Sequence, residues 1–268
     1  MKHFLRKVCW LVVVFFVFTG CKGGYEQGEL ASKPEVESTV VTNTYARAIK
    51  ATGGYEAWVT TTEMEFDSVV TFYESGGSLY LTGQHHEILP WANSIRISAT
   101  EPPARRDRRR GKEALGAEVV WELREGGFKV SKGREAAESL PVALSERAFA
   151  EAILYITTAP IRFLDKSVSF IEGAKAVKKE GLWYYPIERV SNDVRPYWPK
   201  VVFYQNRESS LVDMIWFSNV SEGTFLSVRG FDYYEAEDTG VLVPTKVEIS
   251  RTDSRGVVQE RLVQIDFK

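Results

Sequence analysis

The chain has 268 residues, with 34 Lys or Arg against 36 Asp or Glu, a formal charge of −2 and 44% hydrophobic residues. That balance lacks the basic excess that nucleic-acid binding asks for, and 2 Cys with 3 His are too few for a disulfide framework or for most zinc sites. The length allows one large domain or two small ones, with ample chain for a core.

Lys2, Arg6 and Lys7 form a positive segment ahead of an unbroken apolar run from Val8 to Phe18. As a helix this run is about 16 Å long, against roughly 30 Å of bilayer hydrocarbon. Its length and flanks are those of a secretory signal. Thr19 and Gly20 then lead into Cys21. Phe18-Thr19-Gly20-Cys21 resembles the lipobox of bacterial lipoproteins, with Phe18 where a Leu is usual. The resemblance implies removal of residues 1–20 and acylation of Cys21 (by palmitate or a similar chain), which becomes the first mature residue. An ordinary cleaved signal with an incidental cysteine, or an uncleaved short anchor, is the plainer alternative. Without residues 1–20 the chain keeps 31 basic and 36 acidic side chains, about −5 in all. Lys22 follows the cysteine, which in lipoproteins of this kind favours the outer membrane, facing the periplasm, over the inner one.

Residues 21–38, rich in Gly, Glu, Ser and Lys, read as a flexible tether. Residues 39–268 read as a single domain. Val41, Tyr45, Ala48 and Ile49 fall near a helical period that Gly53 and Gly54 stop, and residues 55–58 add a further turn. From Glu63 the period changes to two, with Met64, Phe66, Val70 and Phe72 on one face of a strand. Gly76 and Gly77 turn the chain into a return strand at 79–89; Ile95, Ile97 and Ala99 mark the next. Val119, Trp121 and Leu123 alternate again, and 128–130 pairs back across Gly126 and Gly127. Phe149, Ala152, Ile153 and Ile156 then return to helical spacing behind Ser145 as N-cap, with Pro160 as the stop. Strands resume at about 168–171, 174–180, 182–190, 200–206, 210–218, 224–234, 241–251 and 256–267. Those around Trp183, Val202 and Ile215 are apolar on both faces, so both faces must be covered, one of them most simply by the helices.

The pair Gly53-Gly54 with Trp58, the strand at Met64, and the helix from Leu144 to Thr158 closing at Pro160 stand between two antiparallel meanders. This order resembles the half-barrel family of outer-membrane lipoprotein-sorting carriers and their lipid-binding lipoprotein relatives, over nearly the whole mature chain. The resemblance implies an α+β fold in which a large curved antiparallel sheet, a half-barrel, carries helices on its concave face around an apolar cavity. It implies no catalytic residue. An anchored chain is similar to the receptor-like or accessory members.

Three candidate sites follow. A ligand-binding interior would be built from Trp121, Phe149, Ile153, Ile156, Phe163, Trp183, Trp216 and Phe225, since an apolar ligand needs a dry concave wall and aromatic rings supply large area; the plainer reading is an ordinary core. Arg105, Arg106, Arg108, Arg109, Arg110 and Lys112 make a patch for an anionic partner, such as lipid head groups or an acidic protein, or a solvated loop. His85, His86 and Glu87 are adjacent, and neighbours on a strand face opposite ways, so they make a poor metal site. Asn219-Val220-Ser221 reads as a turn. No G-x-S-x-G or H-E-x-x-H is present, so no catalytic residue, cofactor or metal is assigned. The leading expectation is a membrane-tethered, non-catalytic envelope lipoprotein that binds a lipid, acyl chain or other apolar ligand. The alternative is an accessory envelope lipoprotein that docks another envelope protein through its surface and has no ligand cavity.

Overall fold

The computed structural model describes residues 43–101, 117–132, 140–165, 168–190, 196–236 and 238–268. Two short helices come first, α1 (Asn43–Ala51) and α2 (Gly54–Thr60). A meander follows: β1 (Met64–Tyr73), β2 (Leu79–Leu89), β3 (Ser94–Glu101), β4 (Ala117–Arg124) and β5 (Gly127–Lys132). Then come α3 (Glu146–Thr157) and the single turn α4 (Ala159–Arg162). The second meander is β6 (Ser169–Glu172), β7 (Val177–Lys179), β8 (Leu182–Val190), β9 (Lys200–Asn206), β10 (Val212–Asn219), β11 (Thr224–Glu235), β12 (Leu242–Thr252) and β13 (Val258–Phe267).

All thirteen strands join one antiparallel sheet, in the order β5-β4-β3-β2-β1-β13-β12-β11-β10-β9-β8-β6, with β7 also on β8. The two meanders meet where β1 pairs with β13, Val70 opposite Ile265. Among the described residues β5 and β6 stay unpaired with each other, so the sheet is open and does not close into a barrel.

The sheet must be strongly curved, because one helix reaches distant parts of it. α3 touches β3 and β4 on one side and β10, β11 and β12 on the other. Seven strand spacings separate β4 from β10, about 34 Å along the sheet, whereas a helix with its side chains is only about 10–12 Å across. The wall therefore wraps around α3, and the expected α+β half-barrel with helices on the concave face is the fold observed. Phe149 spans the gap: its ring lies 5.8 Å from that of Phe72 on β1 and 5.9 Å, edge-on, from that of Trp121 on β4.

Local sequence explains where α3 begins and ends. Ser145 is in the extended region and its hydroxyl accepts from the Ala148 N–H at 3.2 Å, as an N-cap should. The helix breaks at Thr158, two residues before the expected stop, and Pro160 sits inside the first turn of α4. Pro160 has no N–H to return to Ile156, while the Thr157 and Thr158 hydroxyls donate back to the Ile153 and Leu154 carbonyls. At the other end of the domain, Gly53 and Gly54 both take positive φ, 107° and 88°, a region open to glycine at no steric cost. The turn lets the Trp58 indole N–H donate to the Thr52 hydroxyl at 2.9 Å and the Leu242 N–H donate to the Thr52 carbonyl at 3.2 Å. The Gly-Gly-x-x-x-Trp spacing thus docks the helical hairpin onto the rim of the sheet.

The doubly apolar strands are covered on both faces. Val201, Phe203, Ile215 and Phe217 belong to the main core under the helices, while Tyr184, Val202, Tyr204 and Met214 form a second cluster on the other face with Val177, Leu182 and Trp216.

Candidate functional site: a cavity beside the central helix

The residues expected to line an interior separate into three groups. Trp121, Phe149, Ile153 and Ile156 are buried in the main core, filling the space between α3 and the sheet. Phe163 is partly buried against that core and meets Tyr45, Phe170 and Phe203 at centroid distances of 4.9, 5.1 and 5.4 Å. Trp183, Trp216 and Phe225 do not line the interior, which corrects their assignment: Trp216 and Phe225 are on the opposite face, and Trp183 lies exposed on the core side of β8, between Leu182 and Tyr184 of the outer cluster. Trp183 is 47% exposed; Trp216 stacks on Phe225 at 6.4 Å and donates to the Thr252 hydroxyl. Trp216 and Phe225 alternate with Phe217 and Leu226 of the main core, and on a strand a shift of one residue changes the face.

The helix does not fill the trough completely. A cavity of about 360 Å³ lies beside α3 and α4. One wall is Phe170, Arg189 and Phe203, from β6, β8 and β9; Pro196, Tyr197 and Trp198 come from the segment before β9. Leu123 of β4 and Gly126 of the following turn face them from the other arm of the sheet. The helical lining is Arg147, Glu151 and Tyr155, then Arg162 of α4. The first three are spaced by four, so they form one stripe along α3. The remaining sides of the helix, through Phe149, Ile153 and Ile156, pack against the sheet.

The stripe is held by specific bonds. Arg147 Nε donates to Glu151 Oε1 at 2.9 Å, and its guanidinium lies 4.3 Å from the Tyr197 ring centroid. The Tyr155 ring stacks on Phe203 and meets Phe217 edge-on. Its hydroxyl accepts from Arg189 Nη1 at 2.5 Å, and Arg189 Nη2 donates to the Trp198 carbonyl at 2.6 Å. Arg162 donates through Nε and Nη2 to the single Thr158 hydroxyl, at 3.1 and 2.7 Å. Burial raises the Glu151 carboxyl above its ordinary pKa, opposed by the Arg147 and Arg189 guanidinium groups. Burial likewise lowers that of Arg162, against the pull of Tyr155 and Asp165.

The cavity is therefore amphipathic: rings and aliphatic groups with Arg189 on the wall strands, and further charge on the helical side. The apolar cavity that the resemblance implied is corrected in this respect. Arg147, Glu151, Tyr155, Arg162 and Arg189 were missed as lining residues. Their signal was present on α3, where a period-four polar stripe interrupts an apolar helix.

The other candidates are less informative. Cys21 and the basic run Arg105, Arg106, Arg108, Arg109, Arg110 and Lys112 lie outside the described residues. His85 and His86 face opposite ways, as adjacent strand residues do. His85 is on the outer surface with Nδ1 2.9 Å from Asp67 Oδ1; His86 is buried with Nε2 2.7 Å from the Ser68 hydroxyl. Among the described residues no group of three or more His, Cys, Asp or Glu side chains is placed to hold a metal ion, and no helix is long and apolar enough to cross a membrane.

No family model and no curated protein matches the chain. Solved structures with a similar course include a LolA superfamily protein from Nitrosomonas europaea, 12% identical over 84% of this chain and 90% of that one, with a TM-score of 0.49. A DUF1329 family protein from Desulfovibrio piger is 10% identical over 84% and 90%, at 0.46. An outer membrane lipoprotein-sorting protein domain from Vibrio parahaemolyticus is 8% identical over 77% and 83%, at 0.45.

Proposed function

We propose that the protein is a non-catalytic binding protein that shelters an apolar or lipid-like ligand between its central helix and the curved sheet. The observation that carries this reading is the cavity of about 360 Å³ between α3, α4 and the strands β6, β8 and β9. Its volume is within the range of small-molecule sites, toward the small end, and suits a single chain or a comparable ligand. Burial of hydrocarbon against Leu123, Val168, Phe170 and Phe203 supplies the driving force, about 0.8 kcal/mol per CH₂. The surrounding sheet and the core beneath α3 keep that wall rigid, so little ordering is needed on binding.

The lipobox-like segment ending at Cys21 supports an anchored, envelope-facing form of the same domain. Acylation there would hold the cavity near a lipid supply, and more than one chain on the residue would make the attachment durable. Cys21→Ser is expected to move the protein from the membrane fraction to the soluble fraction.

Native mass spectrometry of the purified protein, followed by solvent extraction and lipid analysis, tests the binding role. One reproducible apolar adduct per chain is expected. A protein that is always empty, and stays empty after incubation with lipids, would remove the reading.

A further inference from the structure

The cavity holds more positive charge than an apolar ligand would need. Among the described residues, Arg147, Arg162 and Arg189 line it against the carboxylates Glu151 and Asp165, and Glu151 is engaged by Arg147. Arg162 and Arg189 flank one ring: their guanidinium carbons lie 5.4 and 5.8 Å from the Tyr155 centroid. Arg162 is 8% exposed. Arg189 uses Nη1 and Nη2, yet its buried Nε has no hydrogen-bond partner. Buried donors are ordinarily paired, and a buried charge is retained where an opposite charge meets it. Two like charges around one phenol ring, with a donor to spare, make a receptor for an oxyanion.

We infer that the cavity takes an amphiphile with an anionic carboxylate or phosphate head, held by Arg189 and Arg162, with its hydrocarbon lying against Phe170, Phe203 and Leu123. This rests on the binding role proposed above and adds the chemistry of the head group. The cation–π contacts keep both guanidinium groups beside Tyr155 whether or not the head is present, so the site is preorganised. Arginine suits the task because its planar fork can donate to two oxygens of one head at once.

The test is a set of binding titrations on the purified protein stripped of copurifying lipid, with dodecanoate, dodecyl phosphate, dodecanol and inorganic phosphate. Dodecanoate and dodecyl phosphate are expected to bind at least about tenfold more tightly than dodecanol, as charge-assisted hydrogen bonds to a buried guanidinium imply. Arg189→Gln should bring the ratio close to one, while Arg189→Lys keeps part of it; circular dichroism reports whether each variant is folded. The ratio in the unsubstituted protein decides the matter even where a variant fails to fold. Equal binding of dodecanol and dodecanoate would overturn the head-group inference and leave the apolar-ligand role standing. Binding of inorganic phosphate with none of the three chain-bearing ligands would overturn both, and so would no binding at all.

Discussion

Tyr155 on the central helix and Arg189 on β8 are joined by a hydrogen bond of 2.5 Å from Nη1 to the phenol oxygen. The same ring stacks on Phe203 of β9, 6.1 Å away. Tyr155 thus fastens the helix to the wall by two different means, and substitutions separate them. Tyr155→Phe keeps the stack and removes the acceptor; a cost of about 1–2 kcal/mol is expected in urea denaturation. Tyr155→Ala removes both and should cost about 3–5 kcal/mol. Equal losses would show that the stack contributes nothing.

Phe149 and Trp183 were both expected to line an interior, and the structure separates them. Phe149 is 0% exposed between Phe72 and Trp121, whereas Trp183 is 47% exposed on β8. Phe149→Ala should cost about 3–5 kcal/mol. Trp183→Ala should change stability by no more than about 0.5 kcal/mol and leave ligand binding unchanged. Denaturant midpoints for the two variants check this directly.

Much of this organisation was readable beforehand, for identifiable reasons. The meanders showed because strands such as β1 alternate cleanly, and the glycines at 76, 126, 181, 223 and 240 punctuate them. The covering of the sheet by helices followed from strands apolar on both faces, while its curvature was what the resemblance to the half-barrel family implied. What escaped was which of two adjacent aromatics faces inward. Trp216 and Phe217 are alike in apolar character, and the facing depends on register across β9 and β10, where Trp216 sits opposite Val202. The charged stripe escaped because attention to the apolar face of α3 passed over Arg147, Glu151 and Tyr155. Their spacing alone could not say whether the stripe met solvent or a cavity.

The two glycines between α1 and α2 should differ sharply. A Cβ on Gly53 would lie 2.3 Å from the Gly240 carbonyl oxygen, in addition to its positive φ, whereas one on Gly54 meets nothing within 4 Å. Gly54→Ala is expected to cost about 1–2 kcal/mol from backbone strain alone. Gly53→Ala should cost clearly more, because the docking of residues 52–54 on the loop before β12 must also give way. Thermal unfolding of the two variants ranks them, and a milder effect at Gly53 would contradict the docking.

His86 gives the domain an acid-sensitive element. Burial, with the neighbouring His85 adding to it and Asp67 opposing, lowers its pKa from 6.5 to about 3. The unfolded chain therefore binds a proton that the folded chain refuses, and stability falls as pH drops from about 6.5 toward 3. The slope attributable to this residue approaches about 1.4 kcal/mol per pH unit. Glu151 acts in the opposite sense: its raised pKa favours the folded state at low pH and that contribution is lost as pH rises. The comparison is therefore between the unsubstituted chain and His86→Gln, whose slope between pH 6 and 4 should be shallower by about that amount. Parallel curves would contradict the assignment.

The central claim is a place, the space between α3 and the wall strands, and photo-crosslinking with a dodecanoate analogue bearing an alkyl diazirine tests it most directly. Peptide mapping is expected to find label on residues around the cavity, among them Glu151, Tyr155, Trp198 and Phe203, with competition by unlabelled dodecanoate. Label confined to the outer face at Trp216 and Phe225, or no saturable label anywhere, would contradict the account.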